Sequence, residues 1–424
     1  MSAVIEEDLS EVVKSVPPDP MTQPIEEVDP TLQARFLNDT QDAVFARLRK
    51  DAPVHYQAKS QYGPLWNVTR YKDCVDIELD PAVFSSDAKN GGVQIQDLPQ
   101  ALMRKSFIRA DPPVHTAQRR VVSPVVGPNN LLRMEEKIRN EARTILDGLP
   151  IGETFDWVDR VAIELTGRVL AELMDTPRDE RRKLTYWSDI VNIDLSVAGE
   201  MDTEEKRYAI IRECAAYFSV FYNERKQQPP APDLISMLAH SPVMNDMDDN
   251  TFLGMVVTLM VGGNDTTRNS ITGGLLALNQ FPEQYARLRA EPKHVATMIP
   301  EILRWVTPVP NMRRNVMRDV EFRGQQMKKG DKVIIWYISA NRDEEMISDP
   351  YQFKIDRENP RQHLSFGMGI HRCLGNRLAE LQLKILWEEI LKKDWIIDVV
   401  GPAKRKYNNS LRGFSAMPVK IRRA

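Results

Sequence analysis

The sequence predicts a mostly α-helical fold accompanied by small β-sheets. Helical spacing runs from the capping pair Asp248-Asp249 to about Asn279, where Pro282 follows, and at about 1.5 Å per residue such a helix spans roughly 45 Å. A second helical region extends from Leu131 to about Gln228, punctuated by Gly148-Leu149-Pro150 and Gly152. Strand-like pieces are few and short, which places the sheets beside the body rather than at its centre. With 424 residues the chain is long enough for one large core, so residues 31–424 are read as a single domain.

Taken in order, residues 1–30 are acidic and dotted with Pro17, Pro18, Pro20, Pro24 and Pro30, and read as a mobile arm with one short turn near Leu9 to Val13. Leu32, Phe36, Ala43, Val44, Ala46 and Leu48 fall at helical spacing. Val54 to Tyr56 and Leu65 to Thr69 read as strands joined through Gly63-Pro64. Residues 89–109 are irregular, with Gly91-Gly92 and Pro99, yet they carry Val93, Ile95, Leu98, Leu102, Met103 and Phe107; a long apolar loop in a compact domain is either functional or simply loose. Asp111-Pro112-Pro113 reads as a helix start, with Asp111 as its cap. Beyond the long helix, Pro308 to Val320 is extended, Val333 to Ile338 is strand-like, and Asn376 to Lys393 is a helix. Short strands close the chain, with Gly413-Phe414-Ser415 read as a hairpin tip.

Composition excludes several classes. Hydrophobic residues make up 42% and charged residues 28%, with a net charge of −3, values ordinary for a soluble globular protein and without the basic face of a nucleic-acid binder. Three cysteines without a pairing pattern point to a reducing compartment. No secretory leader or membrane-length apolar run is read, so a cytoplasmic protein without a membrane anchor is expected.

Chemistry concentrates at two places. From His363 to Gly375 the sequence is His-Leu-Ser-Phe-Gly-Met-Gly-Ile-His-Arg-Cys-Leu-Gly. Glycines permit a tight loop, and amide donors with a helix N-terminus favour a thiolate. Cys373 after Phe366 therefore fits an axial ligand for haem iron. The other reading of a lone cysteine, a small buried hydrophobe, suits Cys74 and Cys214. The second place is Gly262-Gly263-Asn264-Asp265-Thr266-Thr267-Arg268, in the middle of the long helix. Two glycines and a carboxylate inside a buried helix are costly, and such exceptions tend to mark function. The Thr266 hydroxyl can bond the Gly262 carbonyl and open a groove there; a plain helix kink with a paired core Asp is the alternative. His115 and Arg119 lie four apart on one helix face, and two donors there suit an anion. Glu301 and Arg304 are three apart and can pair, although Pro300 makes the start of that helix ambiguous.

Together these stretches resemble the cytochromes P450, the haem-thiolate monooxygenases, from about Glu27 to the C-terminus. The resemblance implies the cytochrome P450 fold, haem b as cofactor and Cys373 as its iron ligand. It implies that His115, Arg119, His371 and either Arg313 or Arg314 meet the propionates, with Gly262 and Phe366 against the cofactor. Asp265 and Thr266 resemble the family's acid–alcohol pair for proton delivery, and Glu301, Arg304 and Arg357 its buried structural cluster. The loop at 89–109 is then a lid, and Val93, Ile95, Leu98, Met103, Leu259, Pro310, Met312 and Phe414 are the expected substrate contacts. Residues 189–204 would form the other half of an access channel.

The chain has no Gly-x-Gly-x-x-Gly and no flavin or iron–sulfur spacing. The resemblance therefore implies a 2Fe-2S ferredoxin and an NAD(P)H-dependent ferredoxin reductase as partners, docking near Arg120, Arg361, Arg372 and Arg377 of a monomer. The stretches 156–164, 262–274 and 376–383 are similar to the bacterial branch that hydroxylates medium-chain alkanes and fatty acids at the terminal carbon. A terpene or sterol-like substrate is the alternative, and a haem-thiolate sensor or a peroxygenase would have little use for Asp265-Thr266.

Overall fold

The computed structural model describes residues 7–9, 12, 16–244 and 247–423. Its helices are α1 (Gln33–Leu37), α2 (Gln41–Asp51), α3 (Tyr71–Leu79), α4 (Val114–Val122), α5 (Pro128–Asp147), α6 (Glu164–Met174) and α7 (Arg181–Asn192). They continue as α8 (Glu204–Lys226), α9 (Leu234–Ala239), α10 (Asp249–Gln280), α11 (Pro282–Ala290), α12 (Val295–Val306), α13 (Tyr337–Ala340) and α14 (Asn376–Leu391). The largest sheet is built from β1 (Val54–Gln57), β2 (Leu65–Val68), β3 (Phe84–Ser85), a strand at Met312–Val316 and one at Lys332–Ile335. The N-terminal hairpin β1–β2 is antiparallel and pairs onward to Lys332–Ile335 in parallel, with Trp66 opposite Val333.

The helix α10 is the axis of the body. The Asp248 carboxylate accepts the Thr251 N–H at 2.7 Å and caps its N-terminus. Its flanks, from Phe252 to Leu278, are buried against α6, α7, α12 and α14, largely in the main apolar cluster. At Gly273 and Gly274 the side chains of Val306 and Ile302 come within 2.5 and 2.8 Å of where a Cβ would stand. The absence of side chains there lets α12 lie directly on α10.

Several expectations are corrected. The arm before residue 30 is anchored to the body at several points, although Val16 and Met21 stay exposed: Val28 is fully buried, Ile25–Glu27 forms a 3-10 turn, and Arg35 and Arg47 bond the carbonyls of Pro18 and Gln23. The expected turn at Leu9 to Val13 falls largely outside the described residues. Asp111 does not cap α4; its carboxylate instead accepts from the Ser85 hydroxyl and the Ser86 N–H, fastening the helix entrance to β3. The helical region 131–228 is broken by the strand Thr154–Asp156 and a π-helical turn at Val158–Ile163. The piece 333–338 ends as strand at Ile335 and turns into α13. Pro300 lies inside α12, because the helix begins five residues earlier, after the 3-10 turn Pro292–His294. Phe414 is no hairpin tip. It opens the strand Phe414–Ala416 and is buried, its N–H donating to Asn269.

Candidate active site

A large cavity separates α10 from the loop that precedes α14. Its empty space, counting the solvent at its open mouth, is about 1430 Å³. One wall is Cys373 with Phe366, Gly367, Leu374 and Gly375; the opposite wall is Gly262, Gly263 and Thr266.

The cysteine loop is shaped by backbone requirements. Gly369 sits at φ +64°, and a Cβ there would come within 2.5 Å of the Glu78 carbonyl oxygen. Only glycine satisfies both conditions, so the loop can lie on the end of α3. The Cys373 N–H donates to the Phe366 carbonyl at 2.7 Å, closing the loop. Enclosure pushes the thiol of Cys373 up, while the Gly375 N–H, Arg119 and Arg372 favour its thiolate.

On the facing wall the Thr266 hydroxyl donates to the Gly262 carbonyl at 3.0 Å, as its spacing predicts. Nothing stands within 4 Å of where a Cβ on Gly262 would lie, so open space remains beside the threonine. Asp265 is placed differently: it is fully buried and faces away from the cavity wall. Its carboxylate accepts from Ser188 at 2.7 Å, from Asn192 at 2.5 Å, and from Arg268 at 2.5 Å. Arg268 in turn donates to Asp189 at 2.7 Å, and Lys406 donates to the same oxygen at 2.7 Å. Burial pushes Asp265 above its ordinary value, with Asp189 adding to it against Arg268. Asp189 is buried as well, yet Arg268 and Lys406 hold it below the ordinary carboxylate range. Of the two acids, Asp265 therefore gives up its proton the less readily.

The cavity rim carries the expected anion donors. Arg119, Arg314 and His371 line it, and His115 packs edge-on against His371 with ring centroids 4.5 Å apart. Neither ring nitrogen of either histidine has a partner. Burial, with Arg314, His115 and Arg119 nearby, pushes His371 down to about 2, and burial with Arg119 lowers His115. Both rings are neutral and each has one N–H to give. Strand alternation separates the paired arginines: Arg314 lines the cavity, whereas Arg313, also buried, bonds Asp97 at 2.6 Å off the cavity wall. Arg314 bonds Glu78 at 2.8 Å, and the Tyr337 hydroxyl donates to the same carboxylate. A slot with a cysteine on one face, an open groove on the other, and four unsaturated or cationic donors at its edge fits a flat haem bearing two carboxylates.

Of the expected substrate contacts, Val93, Leu259 and Met312 line the cavity, joined by Phe107, Ile108, Leu173, Pro308 and Val309. The others lie elsewhere. Ile95 packs with Phe36 and Trp336, Met103 is buried against Gly92, and Leu98 is half-buried in the loop off the cavity wall. Pro310 turns inward, its carbonyl accepting from Ile338 at 3.1 Å. Phe414 lines a separate polar cavity and carries the Arg405 guanidinium 3.8 Å above its ring. A lid's apolar residues must also pack the lid itself, and spacing alone does not divide the two duties.

Ser188 and Asn192 were not singled out from sequence as partners of Asp265, nor Asp189 and Lys406 as members of its network, nor Glu78 and Tyr337 as partners of Arg314. Each lies more than 20 residues from the group it serves, with no local pattern to mark it.

A family model described as Cytochrome P450 matches residues 187–394. Among solved structures, CYP153D17 from Sphingomonas sp. PAMC 26605 is 42% identical with a TM-score of 0.89, covering 94% of this chain and 100% of that one. Cytochrome P450-153 from Novosphingobium aromaticivorans is 41% identical with a TM-score of 0.88, covering 93% and 99%. The curated linalool 8-monooxygenase of Pseudomonas putida is 34% identical over 390 residues, 89% of this chain and 94% of the relative. Similarity of this extent, over a chain whose cysteine loop and α10 groove face each other across one cavity, shows that the protein belongs to the cytochrome P450 family, a haem-dependent monooxygenase.

Proposed function

We propose that the protein hydroxylates the terminal carbon of medium-chain alkanes or fatty acids, using electrons from a 2Fe-2S ferredoxin reduced by an NAD(P)H-dependent ferredoxin reductase. The observation that carries the reading is the cavity above Cys373: its wall toward the lid is apolar, from Val93, Phe107, Ile108, Leu173, Leu259 and Met312. The likeness of residues 262–274 to the terminal-hydroxylase branch supports the same substrate class.

Bound haem supplies the reductive activation of dioxygen and the oxidation of the C–H bond. Cys373 would hold its iron through Sγ, and His115, Arg119, Arg314 and His371 its propionates. One oxygen atom goes to the substrate and the other to water, so two electrons and two protons must enter. Thr266 keeps its hydroxyl at the groove through the Gly262 carbonyl, where it can pass a proton on. Asp265 stands one residue away as the proton reservoir, its carboxylate held by hydrogen bonds from Ser188 and Asn192. The electron donor would dock at the exposed Arg120, Arg372 and Arg377; Arg361 is already held by Glu380 at 2.5 Å.

No helix among the described residues is long and apolar enough to cross a membrane. We place the protein in the cytoplasm and take it to act as a monomer. The test is a carbon monoxide difference spectrum of the reduced holoprotein, followed by product analysis with a surrogate ferredoxin system. Octane or dodecanoate oxidised at the terminal carbon is the expected result. Preferential oxidation of linalool would favour the terpene reading instead, which the similarity to linalool 8-monooxygenase supports. A haem-thiolate spectrum without ferredoxin-driven oxygen use would make the protein a sensor.

A further inference from the structure

A second cavity lies apart from the one above Cys373, between the start of α2, the end of α12 and the C-terminal strands. Its empty space, counting the solvent at its mouth, is about 570 Å³, and the side chains of Arg342, Arg405 and Arg412 line it. Asp39 and Asp42 share the lining. Asp39 accepts from Arg405 at 3.0 Å and from Arg412 at 2.8 Å, so its charge is committed. Asp42 accepts only from the Gln41 amide, at 3.3 Å. Arg342 bonds no carboxylate. It is 3% exposed, donates to the carbonyls of Arg304 and Trp305 at 3.2 and 2.8 Å, and lies 4.4 Å from the centre of the Trp305 ring. Burial, with Arg304 nearby, pushes Arg342 down to about 9, and burial with Arg412 pushes Arg405 down to about 9. Both remain charged at neutral pH. Three of the donors, Nε of Arg342 and of Arg412 and Nη1 of Arg405, are buried without a partner, and so is one acceptor, Gln41 Oε1. Buried guanidinia elsewhere in the chain are better served: Arg268, Arg304, Arg314 and Arg357 each bond a carboxylate.

We infer that this cavity binds a small tetrahedral oxyanion that still carries a hydroxyl, of which inorganic phosphate is the simplest. Three guanidinia against two carboxylates leave one positive charge in the lining. Guanidinia present planar, fixed donors that match phosphate oxygens. The acceptors then separate phosphate from other anions. A phosphate with a hydroxyl can donate to Asp42 or to Gln41 Oε1. Sulfate has no hydrogen to give and would set a bare anion beside the Asp42 carboxylate. The bound anion would tie the C-terminal strands to the body, because Arg405 lies over the Phe414 ring while Arg412 donates to the Val306 carbonyl at the end of α12 at 3.0 Å. The inference concerns a cavity other than that of Cys373 and goes beyond the proposed hydroxylation.

The test is calorimetric titration of the haem-loaded protein with inorganic phosphate and with sulfate, at neutral pH and equal ionic strength. One phosphate per chain is expected to bind, about tenfold or more tighter than sulfate. In Arg405→Met the apolar stem can still pack on Phe414, and phosphate affinity should fall about tenfold or more, the loss of one charge-assisted contact. In Asp42→Asn the repelling charge is gone, so sulfate should gain more than phosphate and the preference should narrow. Phosphate should also raise the thermal midpoint of the wild type above its value in sulfate. Absence of saturable phosphate binding, sulfate bound as tightly as phosphate, or full phosphate affinity in Arg405→Met overturns the inference. Should Arg405→Met fail to fold, Asp42→Asn decides alone, and an unchanged preference there overturns the inference as well. The proposed hydroxylation is read from product analysis and stands or falls separately.

Discussion

Two acid–arginine clusters in this chain share a sequence form and differ in what they can do. Glu301-x-x-Arg304 and Asp265-x-x-Arg268 each place a carboxylate and a guanidinium three residues apart on a fully buried helix face. Around Glu301 every position is filled. Arg304 donates at 2.8 and 2.7 Å, Arg357 at 2.8 and 3.1 Å, and the Lys354 N–H at 2.9 Å. Burial works against the charge, but the two guanidinia outweigh it and hold Glu301 below the ordinary carboxylate range. Around Asp265 one guanidinium serves two acids, the second cation reaches only Asp189, and the Asp189 Oδ2 is left without a partner. Saturation makes the first cluster a fixed joint. Shortage makes the second a place where a proton can reside and leave.

The comparison is broken most severely at Glu301. Glu301→Gln removes the charge that two buried guanidinia require, and breaking such a pair costs about 3–5 kcal/mol. Denaturant unfolding should register that loss, together with poor haem retention, because Arg304 also bonds the carbonyls of Asn341 and Pro350. A stability change under about 1 kcal/mol would mean that the cluster is no joint.

Asp265→Asn should do the reverse. It leaves the Arg268–Asp189 pair in place, so unfolding should shift little. Product formation should fall on the order of a hundredfold, the lower range for a lost proton donor, with an enlarged solvent isotope effect. Thr266→Ala removes the hydroxyl at the groove, and electrons should then be consumed without matching product. Full coupling in Thr266→Ala would remove the threonine from the proton path.

How much of this was legible in the sequence follows from the same contrast. The cysteine loop, α10 and its cap, and the Glu-x-x-Arg pair are local: backbone geometry and i, i+3 or i, i+4 spacing fix them within a dozen residues. The fold class and the opposition of Cys373 to Thr266 followed. The partners of Asp265 arrive from α7, and Lys406, which holds Asp189, comes from over 140 residues downstream of Asp265; only tertiary packing brings them together. The lid is the extreme case. Its apolar residues read as one substrate surface, but Ile95 and Met103 are spent on packing.

The clusters should also respond to pH with opposite sign. Glu301 is depressed in the folded chain, so the unfolded state binds more protons between the folded value and the ordinary one. Its stabilisation is present above the ordinary glutamate range, near 4.5, and is lost as pH falls through the folded value. Asp265 is raised: the folded state binds more protons, and its contribution weakens as pH rises from the ordinary value of 3.8 through the folded one. In stability-against-pH curves, Asp265→Asn should therefore flatten the decline on the alkaline side of 3.8 while leaving the acid limb intact. An Asp265→Asn curve that instead loses its slope on the acid limb would show that Asp265 is held ionised as Glu301 is.

The smallest expected effect is the most diagnostic. Lys406 is a single ammonium at 2.7 Å from Asp189, largely buried at the edge of the network. Lys406→Met removes one of the two cations that keep Asp189 ionised and leaves Arg268 to both acids. Stability should change by roughly 1 kcal/mol at most, since the lysine stem is replaced by an apolar chain of similar reach. With less positive charge nearby, protons are held more tightly by the pair, so the pH at which product formation reaches half its maximum should move upward, and it should move back in Lys406→Arg. An upward shift without a loss of stability is what a proton-holding cluster shows. A joint like that at Glu301 would give the converse: lower stability and an unmoved pH profile.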